Sequence, residues 1–179
     1  MEEFVRNHAT VMEALRATLP LRQETLRFAG KEVRTPRLVS WHGDPGASYA
    51  YSGRRFDPAP WTPVLLAVKE RVDSVAGARF NSVLANYYRD GADSMGEHAD
   101  DEPELGPERD NILIASVSLG ARRRFLLRHR RSKATHEFSL GEGNLLVMGG
   151  TTQRHYGHRV PKTAAAVGPR MNLTFRVVL

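Results

Sequence analysis

Near the start of the chain the apolar residues Phe4, Val11, Met12, Leu15 and Leu19 fall at helical spacing with polar residues between them, and Pro20 closes the run. A period near 3.6 puts such side chains on one side, so the pattern predicts an N-terminal amphipathic helix. A second helix is marked at both ends. Thr62 offers a hydroxyl to the free N–H groups of a first turn, Pro63 fits a position that needs no donor, and Gly77 can take the left-handed conformation just past the end. Between them Val64, Leu65, Val68, Val72 and Val75 form the stripe expected to be buried. From Phe80 onward the pattern shortens to β-rich runs, "FNSVLANYY", "NILIASVSLG", "RRFLLRH", "THEFSL", "GNLLVMGG" and "MNLTFRVVL", punctuated by glycines and charged turns. Helices first and strands afterwards predict an α+β fold, a β-sandwich or jelly roll flanked by N-terminal helices.

The 179 residues suit a single domain, and no repeat, low-complexity tract or linker divides them. Apolar residues make up 41% and charged residues 26%, and no apolar run approaches the ~20 residues that span a bilayer, so no membrane partner is expected. The opening "MEEFVRNHAT" lacks an apolar signal core. With no cysteine, disulfide and thiolate chemistry drop out, and any metal must sit on His, Asp or Glu. The expectation is a cytoplasmic monomer, associated with the nucleoid in a bacterial host.

Charge changes the picture, because a net +6 favours a polyanionic partner. All but four of the 26 basic residues are arginine, whose fork fits phosphates and carboxylates, although biased genomic base composition would give the same preference. Placement says more. The segment "GARRRFLLRHRRSK" gathers Arg122, Arg123, Arg124, Arg128, Arg130, Arg131 and Lys133 around an apolar strand, as either a phosphate-binding surface or a solvated face.

The acidic stretch "GEHADDEPELG" carries the candidate chemistry. His98 and Asp100 are two apart, so in extended chain an imidazole and a carboxylate leave the same face. "QRHYGHRVPK" supplies a second histidine, His155 or His158. Two histidines and one carboxylate form the facial triad of non-haem Fe(II) oxygenases, which leaves positions open for substrate and oxygen. As a site carboxylate, Asp100 is not expected to support the core. In "PRMNLTFRVVL", Arg170, Asn172, Thr174 and Arg176 share one face of a strand while Met171, Leu173, Phe175 and Val177 share the core face. Inward-pointing arginines need anionic partners, either a dicarboxylate ligand or Asp and Glu of the chain itself. Asn86 and Tyr88 add hydrogen-bonding groups from one face of "FNSVLANYY".

Together these segments resemble the AlkB family of Fe(II)- and 2-oxoglutarate-dependent nucleic-acid dioxygenases, especially the animal homologues that repair alkylated DNA. The resemblance runs from about Thr35 to Val178, through "TPRLVSWHGD", "YAYSG", "FNSVLANYYRDGADSMGEHADDEPELG", "IASVSLGARRRF", "HRVPK" and "PRMNLTFR", in the family's order. It implies one domain over 1–179, with a helix and nucleotide-recognition region in 1–34 and a double-stranded β-helix dioxygenase core in 35–179. His98, Asp100 and His158 become the iron ligands, since "HRVP" matches the family's last-histidine motif and His155 stands off it. Arg170, helped by Tyr88 and Asn172, is implied to grip the distal carboxylate of 2-oxoglutarate, while Arg176 and Asn86 hold its iron-proximal end. With O2, the implied reaction hydroxylates an N-methyl group of N1-methyladenine or N3-methylcytosine, and extends to etheno adducts. The products are formaldehyde, succinate, CO2 and the repaired base.

A base inside a duplex cannot reach such an iron, so the family flips it out. The resemblance assigns Tyr49, Tyr51 and Ser52 to the base pocket, with Arg37 and Glu102 as polar partners and the ring of His158 as the opposite wall. Phe28 falls near the position where duplex-acting relatives carry an intercalating finger. Arg122, Arg128, Arg130, Arg131, Lys133, Arg159 and Lys162 are the residues expected on the nucleic-acid backbone. Of the other acids, Asp101 is expected to pair with Arg176, and Asp93 and Glu104 to face solvent. The implied partner is alkylated DNA, single- or double-stranded, or RNA. The alternative is a dioxygenase with the same iron and 2-oxoglutarate residues acting on a protein or small molecule, against which the basic cluster, "YAYSG" and "HRVPK" speak.

Overall fold

A computed structural model describes residues 1–28, 31–51, 54–105 and 111–179 of the chain. Two antiparallel sheets carry the fold. The larger has the strand order β11 (Asn144–Met148), β8 (Ile114–Gly120), β13 (Arg170–Arg176), β6 (Ser82–Tyr88) and β3 (Leu38–Gly43). The smaller has the order β10 (Thr135–Leu140), β9 (Arg123–His129), β12 (Tyr156–Val160) and β7 (Met95–His98). Two hairpins stand beside them, β1 (Thr25–Phe28) with β2 (Lys31–Arg34) and β4 (Tyr49–Tyr51) with β5 (Arg54–Phe56). This is the mostly antiparallel, jelly-roll type of architecture that the strand runs predict.

The period of two decides which face of the large sheet does what. Met171, Leu173 and Phe175 of β13 and Val83 and Ala85 of β6 turn outward and pack under two helices, α1 (His8–Thr18) and α2 (Pro63–Ala76), through Met12, Leu15, Leu65, Val68 and Val72. Each such aliphatic side chain, once fully buried, contributes roughly 1.5–3 kcal/mol. A second apolar cluster takes Tyr88 and Ile114 from the large sheet and Phe125, Leu140 and Val160 from the small one, so it lies between the sheets. The alternate residues of β13 therefore face the small sheet rather than a helix, and that opening holds the candidate site.

The predicted ends of α2 hold. Thr62 Oγ1 accepts from the Leu65 N–H at 3.3 Å and Gly77 has φ +64°, a cap worth about 1 kcal/mol and a left-handed turn that glycine enters without strain. Val75 departs from the predicted stripe. It is 47% exposed, and Ala76 packs against the core instead. No helix among the described residues is long and apolar enough to cross a membrane.

Candidate active site

β7 ends at His98, directly opposite His158 of β12 in the antiparallel ladder, and Asp100 follows in the next turn. This pairing converts two segments distant in sequence into one donor set: an imidazole nitrogen from each histidine and a carboxylate oxygen lie within 4.8 Å of one another. The histidine ring centroids are 4.3 Å apart. His98 Nδ1 lies 2.9 Å from the Gly96 carbonyl oxygen, which can only accept, so that nitrogen donates and Nε2 is the one turned to the other two ligands. His158 is 6% exposed and stacks on Phe125 at 5.3 Å. Burial, reinforced by His98 and opposed by Asp100, pushes its pKa down to about 4, which leaves it neutral at ordinary pH. Burial alone would raise the Asp100 pKa, but Arg176, His158 and His98 together hold it below the usual carboxylate value. The set is thus two imidazoles, that of His158 held neutral, and one carboxylate, the chemistry that suits Fe(II) with open coordination positions.

The competition between His155 and His158 is resolved by place. His155 ends a short helix, α3 (Thr152–His155), is exposed, and stacks on His129 at 6.1 Å, outside the triad. The expectation that Asp100 lies apart from the core is corrected. It is 2% exposed, and Arg176 Nη2 donates to its Oδ1 at 2.6 Å. The pairing of Asp101 with Arg176 is corrected with it: Asp101 meets Arg130 at 3.1 Å.

The opposite wall of the same cavity carries Arg170, Asn172, Thr174 and Arg176 from β13 and Asn86 and Tyr88 from β6. Arg170 is 1% exposed. Its Nη2 donates to Ser118 Oγ at 2.8 Å, while Nε and Nη1 have no hydrogen-bond partner among the described residues. Its guanidinium lies 5.2 Å from the centre of the Tyr88 ring. Burial pulls its pKa down, against Tyr88 and with Arg123, yet no carboxylate among the described residues is paired with it. A buried guanidinium with two unmet donors is costly unless an anion completes it, so the residues present fit a carboxylate ligand such as 2-oxoglutarate. Asn172 lines the cavity with its amide turned into the sheet, donating to Ser116 Oγ at 2.7 Å and accepting from Thr174 Oγ1 at 3.0 Å. Asn86 Oδ1 accepts from Arg37 Nε at 2.7 Å, which joins a residue expected at the cosubstrate to one expected at the base. Glu102 is near Arg176, at 3.9 Å.

Asp93 is not solvent-facing. It is 4% exposed and accepts from both the backbone and the guanidinium of Arg89, whose hydrogen bond holds its carboxyl below the usual range. The arginine cluster also divides. Arg123 is 4% exposed and donates to the carbonyls of Asp90, Asp93 and Pro161, so it ties loops together at the cavity's edge. Gly91 sits in that knot, where a Cβ would run into the Thr163 carbonyl oxygen. Arg122 pairs with Glu142, Arg124 with Glu137 and Arg128 with Glu97, and Lys133 donates to the Arg130 carbonyl. Arg131, Arg159 and Lys162 are exposed. Ser52 lies outside the described residues, and only the backbone of Phe28, Tyr49 and Tyr51 is described. Gln153, a residue to which the sequence assigns no role, is fully buried and accepts from the Asp100 N–H at 3.0 Å. Nothing in its neighbours' types announces that contact, which depends on how two loops meet.

Residues 5–176 match the family described as the 2OG-Fe(II) oxygenase superfamily. The chain belongs to that family, and membership brings Fe(II), 2-oxoglutarate and O2 as its cofactors. Within it the chain is 43% identical over 158 residues to the mouse "DNA oxidative demethylase ALKBH2", a match that covers 84% of this chain and 65% of the relative. It is 38% identical over 178 residues to the human "Alpha-ketoglutarate-dependent dioxygenase alkB homolog 3", covering 94% of this chain and 60% of the relative. The chain therefore spans under two thirds of the length of these relatives. A solved structure of OsALKBH1 superposes with a TM-score of 0.68 at 16% identity, over 98% of this chain and 95% of that one, a likeness of fold.

Proposed function

We propose that this chain is an Fe(II)- and 2-oxoglutarate-dependent dioxygenase that removes alkyl groups from damaged bases in DNA. The observation that carries the reading is Arg170: a buried cation with two unmet donors, in one cavity with His98, Asp100 and His158. A metal triad alone suits many reactions, and a lone buried arginine suits many anions; a divalent metal facing an anion clamp in one cavity suits a metal-chelating 2-oxo acid. When bound, iron and 2-oxoglutarate supply the activation of O2 and the oxidising power. The chain's own residues position. His98, Asp100 and His158 hold the metal on one side, Arg176 fixes the free rotation of Asp100, and Arg170 orients the cosubstrate by its distal carboxylate. Phe125, Met148 and Leu84 form apolar cavity wall and limit water at the reacting centre.

The names of the similar demethylases support nucleic acid over protein or small molecule as the substrate, as do the basic cluster and "YAYSG". In this reading Arg37, Tyr49, Tyr51, Ser52 and Glu102 receive the flipped base, N1-methyladenine, N3-methylcytosine or an etheno adduct. Arg122, Arg128, Arg130, Arg131, Lys133, Arg159 and Lys162 are the candidates for backbone phosphates, and Phe28 for the wedge. The domain is single, with residues 35–179 as its dioxygenase core and 1–34 assisting recognition. The test is incubation with Fe(II), 2-oxoglutarate and methylated oligonucleotides, single- and double-stranded, DNA and RNA, with succinate and formaldehyde measured together. Both products are expected only when the alkylated strand is present. Succinate without any response to nucleic acid would move the substrate to another class, and no succinate at all would remove the dioxygenase reading.

A further inference from the structure

We propose that Gln153 is a positioning residue of the metal centre, holding the Asp100 turn against the segment that delivers His158. Its side chain is fully buried, and its Oε1 accepts the Asp100 backbone N–H at 3.0 Å across a sequence separation of 53 residues. The orientation is chemically fixed, because a backbone N–H needs an acceptor and only the carbonyl end of the amide provides one. The other end is poorly served. Among the described residues Gln153 Nε2 has only Met148 Sδ, at 3.9 Å, a weak acceptor. An aliphatic or thioether side chain would pack there without an unmet donor, so packing alone does not account for a glutamine. What the glutamine adds is the bond to Asp100.

That bond joins the two ligand-bearing segments. Gln153 lies in α3, which runs straight into β12 and His158, and α3 is pinned at its start by Thr152 Oγ1 donating to the Gly149 carbonyl at 2.7 Å. The Asp100 carboxylate is then fixed at two points: Gln153 sets its backbone, and Arg176 sets its side chain at 2.6 Å. Either point alone leaves a rotation open that changes the distance from Oδ2 to the histidines. The same helix also holds the basic hairpin, since Arg130 N–H donates to the His155 carbonyl at 2.8 Å.

The inference rests on the metal reading of the triad, and Co(II) separates the two. Co(II) is titrated into the full chain, followed by its visible absorption, in the wild type and in His158→Ala, Gln153→Met and Gln153→Asn variants. Wild-type binding that His158→Ala abolishes supports the triad; no wild-type binding overturns the triad reading itself. Gln153→Met fills the same space without an acceptor and is expected to weaken Co(II) by 10- to 100-fold, the range for residues that orient ligands, and to change the shape of the Co(II) spectrum. Wild-type affinity and spectrum in Gln153→Met would overturn the proposal. Should Gln153→Met not fold, Gln153→Asn carries the test: its carbonyl is one methylene short of Asp100, and undiminished Co(II) binding there would overturn the proposal equally.

Discussion

Arg176 Nη2 lies 2.6 Å from Asp100 Oδ1, so one oxygen of this carboxylate is committed within the chain while the other, Oδ2, faces His158 Nε2 at 3.6 Å. In the proposed site one residue thus serves both the metal and a half-buried cation. Asp100→Ala is expected to abolish metal binding and also to cost about 1–3 kcal/mol in unfolding free energy, because it takes the hydrogen-bonded partner from the half-buried Arg176 guanidinium and leaves it only Glu102 at 3.9 Å. Asp100→Asn keeps an acceptor for Arg176 and should lose the metal at a smaller stability cost. Urea unfolding and metal titration on both variants check the pair of effects; metal affinity in Asp100→Asn equal to wild type would remove Asp100 from the ligand set.

The two histidines of "QRHYGHRVPK" should separate cleanly. His158→Ala is expected to lose metal-dependent turnover entirely. His155→Ala, which alters an exposed ring stacked on His129, should keep most of it. Turnover and metal content measured side by side decide this, and the reverse ranking would mean that the ladder register at His98 does not define the site.

Arg170 sets function against stability. Replacing it by Met removes a buried guanidinium with two unmet donors, so the ligand-free protein should be as stable as wild type or more so. The 2-oxoglutarate requirement should move the other way and rise by at least tenfold, as expected when one partner of a buried charge-assisted pair is truncated. Thermal unfolding with and without 2-oxoglutarate reads both: wild type gains about 2.7 kcal/mol at a hundred times its Kd, and Arg170→Met should gain little at the same concentration. Equal protection of the two proteins would show that the cosubstrate lies elsewhere.

Acid should reveal His158 in the metal-free protein. Its folded pKa is about 4 against an ordinary 6.5, so the unfolded chain takes up this proton first. The contribution is fully present above pH 6.5 and is lost as the pH falls toward 4, by at most about 3 kcal/mol at 1.36 kcal/mol per unit. Asp100, held below its ordinary 3.8, adds its own loss only below that value. Unfolding free energies from pH 7.5 to 4 with chelator present should fall less steeply in His158→Gln than in wild type. Parallel curves would show that His158 is not buried in the neutral form.

Much of this was legible along the chain where periodicity carries physical meaning. The strands Arg123–His129 and Thr135–Leu140 coincide with "RRFLLRH" and "THEFSL", and the alternation in "PRMNLTFRVVL" separates cavity residues from core residues as the structure does. The helix α2 was readable from its caps. β7, "MGEH", was not readable as a strand because it has no apolar alternation; its pairing with β12 supplies the order. Charge was the least legible quantity. Asp93 and Arg123 look like solvent residues in one dimension, and only the folded chain shows the guanidinium and the carbonyls that take them inside. Gln153 shows the same limit, since its partner is fixed by tertiary contact alone.

That division of the arginines bears on how nucleic acid is held. Arg124 already pairs with Glu137 at 2.8 Å, and Arg122 with Glu142 at 2.6 Å, whereas Arg131 and Arg159 are exposed with no ion pair among the described residues. A guanidinium neutralised by its own chain releases few counterions on binding a phosphate, while an unpaired one releases nearly a full share. Arg131→Ala/Arg159→Ala should therefore flatten the dependence of log affinity on log salt by about 1.4–1.8, at 0.7–0.9 per lost contact, and should do so alike across sequences. Arg124→Ala should leave the slope close to wild type. Tyr51→Ala, in the segment read as base pocket, should lower turnover on the damaged base with the slope unchanged, because stacking displaces no counterions. Binding isotherms on one alkylated oligonucleotide across a series of salt concentrations test all three. If the double variant keeps the wild-type slope and Arg124→Ala loses it, the phosphates run over the outer face of the small sheet instead, and the Arg124–Glu137 pair opens to receive them.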